Sequence, residues 1–147
     1  KLQRIQKFPG AKSFIVSFVW TSTVCFLPLC QNDCEFDLLF SLCFLNILLL
    51  TTINCLHFDL LDCQGDAKHG IQSLPVLWGE EKTKLLISSL CIASLIVSIS
   101  LFLFKGSLGF SFLCLTVIYN MMISSKSKYD QVFDMLLGLP FLVIWLG

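Results

Sequence analysis

The sequence predicts an all-α fold, a polytopic bundle of about five transmembrane helices. Three observations carry that expectation: a shortage of charge, a series of uncharged runs of membrane-spanning length, and an uneven sorting of bases between alternate loops. Of the 147 residues, 56% are hydrophobic and 14% charged, with a mean hydropathy of +0.82. A water-soluble domain carries roughly 25% charged residues, and a chain with far fewer cannot clothe its surface in water-compatible side chains. Zero formal net charge leaves no basic field to attract nucleic acid, so that class of function is set aside.

The elements follow in chain order. The first span is expected at 13–32, because Ser13–Asn32 is 20 residues without Asp, Glu, Lys or Arg. The second is expected at 38–58, where Leu38–Phe58 is an uncharged run of 21. Leu85–Phe104 and Gly106–Ser125, 20 residues each, give the third and fourth spans at 85–104 and 106–125. Each is long enough, at about 1.5 Å per residue, to cross a hydrocarbon core of roughly 30 Å. A fifth span at 129–147 rests on Met135–Gly147, an apolar run of 13 residues that reaches the chain end. Buried helices of a soluble protein would need charged outer faces, which these runs lack. The whole of 1–147 reads as one membrane domain with a single polar loop, 59–84. The first residue is Lys1 rather than Met, and the last lies inside an apolar run, as expected of a piece of a longer protein.

The bases then orient the bundle. Lys1, Arg4, Lys7 and Lys12 precede the first span; Lys68, Lys82 and Lys84 follow the second; Lys126 and Lys128 follow the fourth. Only Lys105 falls on the opposite side, and the loop between spans one and two holds Asp33, Glu35 and Asp37 with no base. The positive-inside rule makes the nine-base face cytoplasmic, and with it the 59–84 loop. The eight cysteines show no zinc spacing. Cys55, His57, Cys63 and His69 lie around the polar loop without the close-paired pattern of zinc ligands. Cys30 and Cys34 flank the acidic loop and are expected to stay unpaired. Tyr119 and Asn120, polar positions in the fourth span, are expected to pack.

Chemistry is confined to the polar loop. If the second helix continues past Phe58, Asp62 and Asp66 stand at i and i+4 on one face, with Asp59 three residues before Asp62. Like charges at such spacing disfavour a helix by about 0.2–0.5 kcal/mol per pair. A divalent cation reverses that sign. Magnesium takes one or two carboxylates and completes its shell with water and phosphate oxygens, so the pair could serve as half a clamp for a diphosphate. On spacing alone, a solvated helix end marking the membrane boundary fits equally well. Asn54, one turn before Asp59, could line a cavity or bond a neighbouring helix. Gly65 and Gly70 permit tight turns and Pro75 stops a helix.

The run Asp62-x-x-x-Asp66-x-x-x-Gly70-x-x-Ser73-Leu-Pro-Val-x-x-Gly79 resembles the second aspartate motif of the UbiA-type intramembrane prenyltransferases. Leu2-Gln-Arg4-Ile-Gln-Lys-Phe-Pro9 is similar to the basic stretch before that family's fifth helix. The resemblance implies helices five to nine of a nine-helix fold. It implies Mg2+-dependent transfer of a polyprenyl group from its diphosphate to an acceptor, often aromatic, in quinone, chlorophyll or haem biosynthesis. By the same resemblance Asp62 and Asp66 are metal ligands and Asp59 an accessory carboxylate, while Arg4, Lys68 and Asn54 face the diphosphate or the cavity. The implied membrane is a bacterial inner membrane or its organellar equivalent. The family's first aspartate motif, roughly Asn-Asp-x-x-Asp-x-x-x-Asp, is absent from these residues. The expected partner is therefore the missing amino-terminal half of the same enzyme, and the chain is expected to be inactive alone. A non-catalytic membrane protein, such as a degenerate paralogue or an assembly subunit, is the alternative. Asp59-Leu-Leu-Asp62 also opens like the CDP-alcohol phosphotransferase pattern, but Cys63 stands in place of its glycine and no Ala-Arg follows.

Overall fold

The computed structural model describes residues 10–31 and 37–104, those from 28 to 31 by their backbone alone. The spans expected at 106–125 and 129–147 lie outside the described residues, as do Arg4, Tyr119, Asn120 and the side chains of Cys30 and Cys34. Five helices follow in order: α1 (Ala11–Gln31), α2 (Leu38–Leu61), α3 (Cys63–Lys68), α4 (Leu74–Trp78) and α5 (Glu80–Phe104). The architecture is all-α, with no strand among the described residues. Both α2 and α5 are long and apolar enough to cross a membrane, and Ala11–Leu27 is a shorter apolar helix.

Each long helix starts where its sequence supplies a cap or a charge. The Asp37 carboxylate accepts from the Phe40 amide at 2.7 Å and caps α2. Glu80 and Glu81 occupy the first turn of α5, where the helix dipole favours negative charge. Gly10 opens α1: its φ is +72°, and its carbonyl accepts from the Phe14 amide at 3.0 Å. A Cβ at Gly10 would come within 2.9 Å of Leu74, so the start of α1 lies directly against α4.

Burial runs opposite to that of a soluble bundle. On α1 the buried stripe is Ser13, Ser17, Thr21, Val24 and Cys25, while Phe14, Phe18, Val19 and Trp20 are exposed. Small hydroxyl residues at four-residue spacing let helix backbones approach closely where lipid already solvates the large apolar side chains. Helix α2 is central, packed against both α1 and α5. One apolar cluster joins Leu50, Ile53 and Leu56 to Ile87 and Cys91; another joins Val24 and Cys25 to Ile47 and Leu101. On α5 the buried positions Ile87, Cys91, Ser94, Ser98 and Leu101 alternate four- and three-residue steps, the pattern of closely aligned helices.

Polar side chains pin these faces in register. The Asn46 carboxamide donates to Ser98 Oγ at 2.9 Å and accepts from Ser94 Oγ at 2.8 Å. The Thr21 and Thr51 hydroxyls meet at 3.0 Å between α1 and α2. The 59–84 segment, expected as a polar loop, is largely helical. Helix α2 runs on to Leu61, α3 and α4 follow, and α5 begins at Glu80. Its turns fall at Asp62, at His69–Ser73 and at Gly79, whose φ is +86°.

Candidate functional site

The site is the cytoplasm-expected end of α2 together with α3 and α4. At Asp62 the chain leaves regular helix, with φ −89° and ψ 3°, yet the surrounding bonds persist. The Asp62 amide donates to Phe58 O and the Asp66 amide to Asp62 O, both at 2.9 Å. The three aspartates expected on one face differ in burial. Asp59 and Asp66 are buried, at 5% and 6% exposure, whereas Asp62 is exposed. Spacing alone does not foresee this, because which side of a helix is buried depends on the elements packed against it.

The short α3 ends in a Schellman closure. The Ile71 amide donates to Asp66 O at 2.9 Å and the Gly70 amide to Ala67 O at 3.3 Å, with Gly70 at φ +70°. This accounts for the four-residue step from Asp66 to Gly70 in the motif: a left-handed residue must stand where the helix closes. The His69 ring bonds Gly65 O at 2.8 Å and adds to the same cap. Gly65, by contrast, is helical and has open space where a Cβ would stand.

Three buried polar atoms in this region have no hydrogen-bond partner among the described residues: Asn54 Oδ1, Asp66 Oδ2 and Ser73 Oγ. Asn54 bonds no neighbouring helix through its carbonyl, and Ser73 does not cap α4 although it stands at the N-cap position. Unpaired buried oxygens are costly, by about 1–3 kcal/mol each, and call for an explanation. Lys68 is exposed in the last turn of α3. Arg4 lies outside the described residues.

Asp59 is placed differently. It accepts a hydrogen bond from Ser13 Oγ, and Lys12 Nζ stands 4.0 Å from its Oδ1. Both partners come from the start of α1, 46 residues away for Ser13. Sequence reasoning missed this pair, since Lys12 read as one more positive-inside charge and Ser13 as the first residue of an apolar run. The one local signal was the Ser13–Ser17–Thr21 spacing, which marks an inward face.

The donor atoms left open are all hard oxygens, which suits magnesium rather than a thiolate-loving metal. No group of three His, Cys, Asp or Glu side chains gathers as a metal cage among the described residues. Asp66, with a buried oxygen that has no partner among the described residues, is the carboxylate that best fits magnesium.

The model of the UbiA prenyltransferase family matches residues 4–132, and this chain belongs to that family. No curated protein and no solved structure matches the chain.

Proposed function

We propose that this protein carries the second aspartate site of an intramembrane prenyltransferase. The reaction is magnesium-dependent transfer of a polyprenyl group from its diphosphate to a lipophilic, aromatic acceptor. The observation that carries the reading is the buried Asp66 oxygen, which has no hydrogen-bond partner among the described residues and is set in the motif by the closure of α3 on Gly70.

In this reading Asp66 and Asp62 hold the metal, and Lys68 and Arg4 offer charge to the diphosphate. A magnesium ion held there would supply positive charge against the negative charge that develops on the leaving diphosphate. The Asn54 carbonyl, five residues deeper on α2 than Asp59, meets the prenyl or acceptor end. The apolar cluster of Leu50, Ile53, Leu56 and Ile87 excludes water from the membrane side. The prenyl carbon–oxygen bond breaks with its electron pair on oxygen, the acceptor ring bonds the carbon, and a ring proton is lost. The positive-inside count supports a cytoplasmic position for this end, in a bacterial inner membrane or its organellar equivalent. The family's first aspartate motif is absent from these 147 residues, so activity is assigned to the protein together with the polypeptide that supplies it.

Titration of that intact protein with farnesyl diphosphate, with and without magnesium, tests the reading. Binding should require the metal, and Asp66→Ala should weaken transfer on the order of a hundredfold or more while membrane insertion persists. Diphosphate binding indifferent to magnesium and to Asp66 would favour the non-catalytic alternative, which the missing first motif otherwise supports.

A further inference from the structure

Asp59 resembles a third metal ligand in spacing but not in surroundings. Its side chain is 7% exposed, and each oxygen already faces a protein donor: Ser13 Oγ on one, the Lys12 ammonium on the other. Asp66 Oδ2 has no such donor among the described residues. A carboxylate reserved for a metal keeps lone pairs open, whereas a buried structural carboxylate must have its charge compensated by the protein. Ser13 is itself buried at 3%, and its carbonyl accepts from Ser17 Oγ at 2.6 Å, so the donor is held in place. Three residues earlier in the chain, Gly10 packs on Leu74 of α4. The start of α1 is thus tied to the motif at two points, one on α2 and one beside Ser73.

We propose that Asp59 is a positioning residue rather than a metal ligand: with Ser13 and Lys12 it anchors the boundary end of α1 to α2, beside the site that holds Asp66. The hydroxyl satisfies the buried oxygen. Lys12, at 62% exposure, adds charge that solvent partly screens. The anchor also holds that ammonium at the same membrane boundary as the motif. Its importance for prenyl transfer rests on the function proposed above; its existence does not.

The test uses the intact protein in detergent, with Ser13→Ala, Asp59→Asn, their double variant and Asp66→Asn. Two quantities are read: the melting temperature in magnesium-free buffer, and the magnesium concentration giving half-maximal binding of farnesyl diphosphate. An anchor lowers the melting temperature in Ser13→Ala and in Asp59→Asn, with the double variant no worse than the worse single one. The magnesium midpoint of both should stay within about twofold of the unsubstituted protein, while Asp66→Asn should raise it about tenfold or more. Asp59→Ala should melt below Asp59→Asn, because an amide oxygen can still accept from Ser13. The proposal is overturned if Asp59→Asn shifts the magnesium midpoint as far as Asp66→Asn does, or if Ser13→Ala melts unchanged. Should Asp59→Asn fail to fold, Ser13→Ala decides alone. Should no variant bind farnesyl diphosphate, the functional reading fails while the melting temperatures still decide the anchor.

Discussion

The middle of the α2–α5 seam and the boundary end of α2 both bury polar side chains, and they treat them in opposite ways. At the seam, the Asn46 carboxamide donates to Ser98 and accepts from Ser94, and all three residues are fully buried. At the boundary, Asn54, Asp66 and Ser73 are buried with oxygens that have no partner among the described residues. Two asparagines eight residues apart on one helix therefore have different work. A satisfied polar group in a dry interface fixes helix register; an open one in the same medium is a group kept for something that arrives. Stability should reside at the seam and chemistry at the boundary.

That division can be broken by substitution. The largest effect on stability is expected from Asn46→Ala, which removes two interhelical bonds and leaves a void. About 2 kcal/mol of destabilisation is expected, with magnesium-dependent diphosphate binding retained in the folded fraction. Chemical unfolding in detergent measures the first and titration the second; lost binding in a protein that stays folded would erase the distinction. Next comes Gly10→Ala, at a left-handed position pressed on Leu74. It should cost about 1–2 kcal/mol and loosen α1 from α4, seen as faster proteolysis near residue 10.

Asp66→Asn sharpens the contrast through its sign. Without metal, removing a buried negative charge whose Oδ2 has no partner among the described residues should leave the protein unchanged or raise its stability by about 1 kcal/mol. The same change should weaken magnesium-dependent binding. A large loss of stability instead would make Asp66 a structural group. Smallest is Thr21→Val. Thr51 keeps its own bonds to the Ile47 and Leu48 carbonyls, so only about 0.5 kcal/mol should be lost, and a loss above that in thermal melts would mean the Thr21–Thr51 contact is coupled to others.

The helical class and its two clearest membrane-length helices were legible because uncharged runs of some 20 residues have few alternatives in water. The motif was legible because its residues are local: Asp66, Gly70 and Ile71 are bound to one another by the Schellman closure, which sequence spacing encodes directly. The burial of the aspartates was legible only as a grouping. Helical spacing brings Asp59, Asp62 and Asp66 to one side, but that Asp59 and Asp66 are buried and Asp62 exposed depends on which elements pack there. Nor could spacing reveal that Ser13 and Lys12 meet Asp59, since a contact across 46 residues leaves no periodic trace.

Neighbouring residues alone fix that the chain is helical, belongs in lipid and carries aspartates where an apolar helix ends, since hydropathy and local hydrogen bonding are properties of neighbours. Which carboxylate is paired, and which has no partner among the described residues, came from the packing of the helices. That depends on α1 folding back against α2 and α4, and burial in a low-dielectric interior makes the difference between those two states large.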